Sequence, residues 1–248
     1  MKRIYLMGGF GNNLFQIDHG LSQTNKKEEV EFITNLIDSP IYSKLFRWTY
    51  HPYIVEQKLF KNKIALVKLS AVEVLYDLFC LMLVKFFNFK LKRIGWNTQA
   101  LKKVNFGYYQ FCKTKPVLSL NNNFTDVDKS DKVVVHLRLG DSPNLISDLL
   151  AQTKLMQSLK EEHYLVLTND IQRAESWFSD KNLNMTVQQN SVIKDFTILS
   201  NAEILIGPQS TFSWMAAFLS NKVQRYYVHE NLWKLIRFKK DITVTTYS

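Results

Sequence analysis

Val133-Val-Val-His-Leu-Arg-Leu-Gly-Asp141 ends with His136, Arg138, Gly140 and Asp141 in six residues. Three consecutive valines predict a buried strand, because β-branched side chains suit a pleat covered on both faces. On that strand His136 and Arg138 share one face, since side chains alternate with period two. Gly140 lets the backbone turn sharply or lets a ligand approach. An imidazole and a guanidinium side by side at the carboxyl end of a strand suit an anion, and Arg matches phosphate oxygens in a bidentate fork. The alternative at this point is an Arg138–Asp141 salt bridge closing a surface turn.

Two other turns have anion-binding chemistry. Lys2–Met7 predicts a first strand, and Gly8-Gly-Phe-Gly-Asn-Asn-Leu-Phe-Gln16 follows it and opens a helix. That layout aims backbone N–H groups and the positive end of a helix at a negative group. Gly9 and Gly11 do not complete a dinucleotide fingerprint, because Leu14 stands where its third glycine belongs. Asn12 and Asn13 also tolerate left-handed backbone. Gln209-Ser-Thr-Phe-Ser213 is the second such turn, at a helix start behind a buried strand. Ser210 or Thr211 is there either an ordinary N-cap, worth about 0.5–2 kcal/mol, or one hydroxyl of a phosphate site. Asp195 has the same two readings, as a cap or as an acceptor for the N–H groups of a base.

The elements that must position these groups follow from the pattern. From Lys132 onward, strands at 132–137, 163–167, 185–188, 203–206 and 224–228 alternate with helices near 144–160, 171–178, 194–195 onward and 211–219. Alternation of this length predicts a parallel, doubly wound α/β sheet, with 224–228 as its last strand. Ahead of it, 29–34 reads as a second strand and 105–112 as an aromatic one. Asn121–Asp131 reads as polar linker, which puts a domain boundary near 114–131. The expected domains are 1–120 and 131–248. Val72, Leu75, Tyr76, Phe79, Leu83 and Phe86 recur at helical spacing, with Glu73 and Asp77 opposite. This predicts a helix that buries its apolar stripe, the alternative being an interfacial helix whose Lys85, Lys90, Lys92 and Arg93 touch anionic lipid.

With 46% hydrophobic and 13% aromatic residues in 248, the chain has ample material for packed cores. Cys80 and Cys112 are too few for a disulfide framework, and reduced buried thiols in a cytoplasmic protein are the simplest account. The apolar run of the N-terminus stops at Gly8, too early for a signal peptide, and no stretch is long enough to span a bilayer. The net charge of +10 is uneven: Leu78–Thr125 holds eight Lys or Arg and no acid. Such asymmetry suits a polyanion such as nucleic acid, anionic lipid or a phosphorylated substrate. No Cys/His metal cluster occurs, and Asp126-x-Asp128 lies in the linker without supporting ligands.

In order, Met7-Gly-Gly-Phe-Gly-Asn-Asn-Leu-Phe-Gln16, Gly107-Tyr-Tyr-Gln110, His136-Leu-Arg-Leu-Gly-Asp141, Leu167-Thr-Asn-Asp170, Asp195-Phe through Leu199-Ser200, and Ser210-Thr-Phe-Ser-Trp214 with Ala216-Ala217 together resemble the motifs of the α-1,2-fucosyltransferase family. The resemblance runs from residue 7 to residue 219, leaves 35–100 unmatched, and has Leu139 and Asn13 where that family carries Arg and Gln. It implies a GT-B-like fold, two Rossmann-like domains with parallel sheets facing across a cleft. It implies an inverting, metal-independent glycosyltransferase that moves L-fucose from GDP-fucose to a hydroxyl of a glycan, with 2-OH of galactose as the expected position. Arg138 would bind the β-phosphate and stabilise the departing GDP. His136 would lie against the nucleotide, with Asp141 and Asn169 nearby, and Asp195 would accept from guanine. Ser210, Thr211 and Phe212 would hold the diphosphate and ribose. Gly9, Gly11 and Asn12 would face donor or acceptor from the other domain.

The base that takes the acceptor proton is not selected by the resemblance; Asp18, His19 and Asp141 are the candidates. No cofactor is expected. The expected partners are the GDP-sugar, a glycan acceptor on a lipid carrier, and the anionic inner face of a membrane. The alternatives are a transferase for another nucleotide-sugar, and an inactive basic module that binds nucleic acid or lipid. Against nucleic acid, the basic residues form no recognised binding motif.

Overall fold

The computed structural model describes residues 2–22, 30–36, 59–80, 82, 104–105, 116–121, 132–139, 145–235 and 242–248. The chain forms two compact units, residues 1–57 with 62–109, and residues 58–61 with 110–248.

The first unit carries β1 (Lys2–Tyr5), α1 (Phe10–Ser22), β2 (Val30–Ile33), β3 (Ala65–Val67), α2 (residues 71–80) and β4 (Val104–Asn105). Its sheet is parallel, in the order β3-β2-β1-β4. α1 packs closely on it at Gly20, where a side-chain Cβ would come within 2.6 Å of the Phe32 ring. β3, which its three residues do not betray in sequence, extends this sheet at one edge.

α2 corrects the sequence expectation. Val72, Leu75, Tyr76 and Phe79 are 76%, 64%, 64% and 53% exposed, while Val74, Asp77 and Cys80 face inward. The reason is electrostatic. Arg3 of β1 sits 3.1 Å from Asp77 and 3.3 Å from Glu31, and the Tyr5 hydroxyl donates to Asp77 at 2.9 Å. A carboxylate buried on the sheet needs such partners. Once Asp77 is held by Arg3 and Tyr5, the apolar stripe on the other face of the helix must turn outward.

The second unit carries β5 (Val133–Leu137), α3 (Leu145–Leu159), β6 (Tyr164–Thr168), α4 (Ile171–Phe178), β7 (Met185–Gln188), α5 (Val192–Asn201), β8 (Ile204–Gly207), α6 (Thr211–Leu219), β9 (Arg225–His229), α7 (Glu230–Leu235) and β10 (Thr243–Tyr247). The helix starts are capped by side chains: Asp170 accepts from the Arg173 N–H, Ser191 from Lys194 and Ser210 from Phe212. Val133, Val135, Leu137, Val166, Ile204 and Ile206 fill the core, and Trp214, Met215 and Phe218 of α6 are fully buried.

All six strands are parallel, in the order β10-β9-β8-β5-β6-β7. Counted from β5, this is the 3-2-1-4-5-6 order of dinucleotide-binding sheets. β10 and α7 correct the expectation that 224–228 is the last strand. Of the expected aromatic strand at 105–112, only Asn105 lies among the described residues. Gly140, Asp141, Asp126, Asp128, Leu83 and Phe86 lie outside them.

Candidate functional site

In a doubly wound sheet the chain leaves β5 to one side and later returns on the other. In sheets of this order the switch point between the carboxyl ends of β5 and β8 is where ligands bind. The residues at that point are His136, Arg138 and Leu139 from β5 and its exit, and Gly207–Phe212 from β8 and the start of α6.

Leu139, where the resembled family has a second Arg, is buried at 1%. Its N–H donates to Asn169 Oδ1 at 3.0 Å, and its carbonyl accepts from Arg173 at 3.2 Å. The turn from β6 into α4 thus clamps the backbone next to Arg138 on both sides. No local sequence motif marks Arg173 for this role. Asn169, expected at the nucleotide, serves here as a backbone anchor.

The His136 ring lies 5.4 Å from the Phe212 ring, and Phe212 lies 5.5 Å from Phe196. Its Nδ1 is buried without a hydrogen-bond partner. Burial, with the Arg138 guanidinium adding to it, pushes the imidazole down to about 3. At neutral pH the ring is uncharged, and Arg138 carries the positive charge of this strand exit.

Ser210 caps α6 through Oγ, which accepts from the Phe212 N–H at 3.2 Å. The helix start is held close to the strand end: a Cβ at Gly207 would come within 2.6 Å of Ser213 Oγ. This packing sets the amino end of α6, with Thr211 as its first residue, at the carboxyl end of β8. The stack of His136, Phe212 and Phe196 also brings the start of α5 alongside. There Asp195 is not the cap, which is Ser191; it accepts from Asn190 Nδ2 at 2.9 Å. Burial raises its pKa, against the Asn190 hydrogen bond.

Below this edge runs a buried polar layer that sequence reasoning missed. Gln152 of α3 donates to the His136 carbonyl at 3.0 Å, and Gln209 Nε2 lies 3.4 Å from Asp148 Oδ1. His229, at the end of β9, accepts from the Asn231 N–H on Nδ1 at 3.2 Å. Its proton is then on Nε2, which faces Asp148 Oδ1 at 3.6 Å. The Tyr247 hydroxyl donates to the Gly207 carbonyl at 2.7 Å, and burial raises its pKa well above the ordinary value, so it stays a donor. Residues from α3, β9 and β10 thus grip the turn that opens α6. No local motif announces them, because they meet only through the sheet order.

In the first unit Gly8 adopts φ 71°, the left-handed region that favours glycine. Gln16 Oε1 accepts from the Met7 N–H at 2.9 Å and closes the turn over α1. Gly9 accepts from the Asn13 N–H, and Asn13 is fully buried with neither amide atom hydrogen-bonded. Gly11 and half-buried Asn12 lie in the first turn. Asp18 and His19 do not join them. Eight residues of helix separate Phe10 from Asp18, a rise of about 12 Å. Asp18 is buried, and His19 lies near Lys2, at the amino end of β1; burial, with Lys2 adding, lowers its pKa against the opposing charge of Asp18. These two candidate bases stand at the opposite end of α1 from the glycine turn. Among the described residues no three His, Cys, Asp or Glu side chains are grouped to hold a metal ion.

A solved structure of a glycosyl transferase family 9 protein from Veillonella parvula DSM 2008 is similar over 99% of this chain and 85% of its own, with a TM-score of 0.50 and 7% identity. That likeness establishes the fold: two units with parallel sheets, of the GT-B type found in glycosyltransferases. No family model matches the chain, and no curated protein is similar to it.

Two predictions follow from the carboxyl edge. Between pH 6.5 and about 3 the unfolded chain holds a proton on His136 that the folded chain refuses. Acid therefore weakens the fold across that window, and stability rises with pH through it. His136→Gln should flatten this slope in urea melts taken from pH 4 to 7; equal slopes would remove His136 as its source. Tyr247→Phe keeps the ring but deletes the donor to Gly207. It should cost about 1–2 kcal/mol of unfolding free energy without changing the denaturant m-value.

Proposed function

We propose that the chain is an inverting glycosyltransferase that moves L-fucose from GDP-fucose to a hydroxyl of a glycan, and that His136, Arg138 and the Ser210–Phe212 turn hold the donor. The observation that carries this reading is the meeting of two motifs far apart in sequence at the switch point of the second sheet. These two are the ones the fucosyltransferase resemblance assigns to the nucleotide, and the GT-B-type fold supports transfer of a sugar in general.

The chemistry then follows from the side chains. The acceptor oxygen attacks the anomeric carbon of fucose from the face opposite the diphosphate. The bond from that carbon to the β-phosphate oxygen breaks, and its electron pair leaves on GDP. Arg138 and the N–H groups at the start of α6 face the negative charge that develops there. Neutral His136 and Phe212, their rings tilted at 57° to each other, supply uncharged aromatic contacts for the nucleotide. The raised pKa of Asp195 means that its full strength as an acceptor for guanine N–H groups is reached only when it is ionised. The acceptor proton must pass to a general base, for which Asp18, His19 and Asp141 remain the candidates. No metal or cofactor enters this scheme.

Calorimetric titration of GDP, GDP-fucose and UDP in the presence of EDTA tests the reading. Wild type should bind both guanine ligands and discriminate against UDP, and Arg138→Ala should weaken GDP at least about tenfold. Dependence on added metal, preference for UDP, or unchanged affinity in Arg138→Ala would contradict it. Preference for another nucleotide would point to a different sugar donor on the same fold.

A further inference from the structure

We propose that α2 is a membrane-docking helix, which seats the first unit on an anionic lipid surface through Val72, Leu75, Tyr76 and Phe79. These four recur at the spacing of one helix face, and all are more than half exposed; Met82 continues the stripe at 47%. Single exposed apolar residues need no explanation, but five large ones on one face do.

The orientation is imposed from within. Arg3 bridges Glu31 and Asp77 and approaches Glu73 at 3.6 Å, and Tyr5 adds its hydroxyl to Asp77. Rotating α2 to bury the stripe would pull Asp77 off Arg3 and Tyr5 and leave a buried carboxylate without these partners. The same turn would expose Val74 and Cys80 in exchange for the stripe, so its apolar gain is partly offset while the buried carboxylate loses its partners.

Charge selects the occupant. Lys63 and Lys68, just ahead of the helix in sequence, are exposed. From Leu78 to Tyr109, within the first unit, the sequence runs through Lys85, Lys90, Lys92, Arg93, Lys102 and Lys103 without one acidic residue. An apolar helical face with aromatic members, followed by a basic run, is the composition that binds the headgroup region of anionic bilayers; basic residues near such a surface draw it in, and apolar ones enter the acyl boundary. Among the described residues no helix is long and apolar enough to cross a membrane, so the contact is peripheral. This proposal stands apart from the donor chemistry and holds whether or not GDP-fucose is the substrate.

Flotation with phosphatidylcholine vesicles, with and without phosphatidylglycerol, tests it on the full chain. Wild type should float with the anionic vesicles only and be released by high salt. Leu75→Gln/Phe79→Gln should keep the wild-type melting temperature and lose vesicle binding at least about tenfold. Three results would overturn the proposal: equal binding of the variant, no preference for anionic lipid, or a variant that melts many degrees lower, which would make the stripe interior packing. Light scattering adds a fourth. A wild-type dimer that the double variant dissolves would assign the face to a second copy of the chain.

Discussion

The return of the chain from β7 to β8, across the sheet to the other side of β5, is the constraint on which the second unit depends. Parallel strands need right-handed crossovers, so reversing the direction of winding puts successive helices on opposite faces. In sheets of this order the helices diverge at the carboxyl ends of β5 and β8, and ligands bind at that switch point. Everything assembled there is a consequence: the imidazole and guanidinium of β5, the start of α6 behind β8, and the aromatic stack that joins them. The topology supplies position, and a handful of side chains supply chemistry.

The switch point is held by polar contacts that are themselves sheltered. Leu139 has both backbone groups bound by the β6–α4 turn, and the α6 turn is gripped by Gln209 with Asp148 and by Tyr247 at Gly207. A cationic site so built loses little on binding an anion, because its parts are already ordered. His136 is neutral for the same reason that it is rigid: the enclosure that fixes its ring also excludes the water that would solvate a charge.

How much of this could be read from sequence depended on distance along the chain. The strands of the second unit announce themselves as apolar runs, and α4 and α6 begin where Asp170 and Ser210 cap them. His136, Arg138 and Ser210 were legible because each sits at the boundary of an element. β10 was not, since Thr243-Val-Thr-Thr-Tyr247 is a mostly exposed edge strand with little apolar signal. Asp148, His229 and Tyr247 could not be paired from sequence, because their meeting depends on the strand order. The face of α2 was misjudged for a sharper reason. Counting apolar residues favours burying the stripe, but Asp77 of the opposite face is held by Arg3 and Tyr5, which lie on another element.

The central claim, that the nucleotide binds at the β5–β8 switch point, is tested most directly by backbone amide hydrogen exchange with and without saturating GDP. The account predicts slowed exchange at 136–139 and at 209–213, with smaller changes around 191–196 and none in the outer strands β7 and β10. Protection confined to other segments, or no protection while GDP is bound, would contradict it.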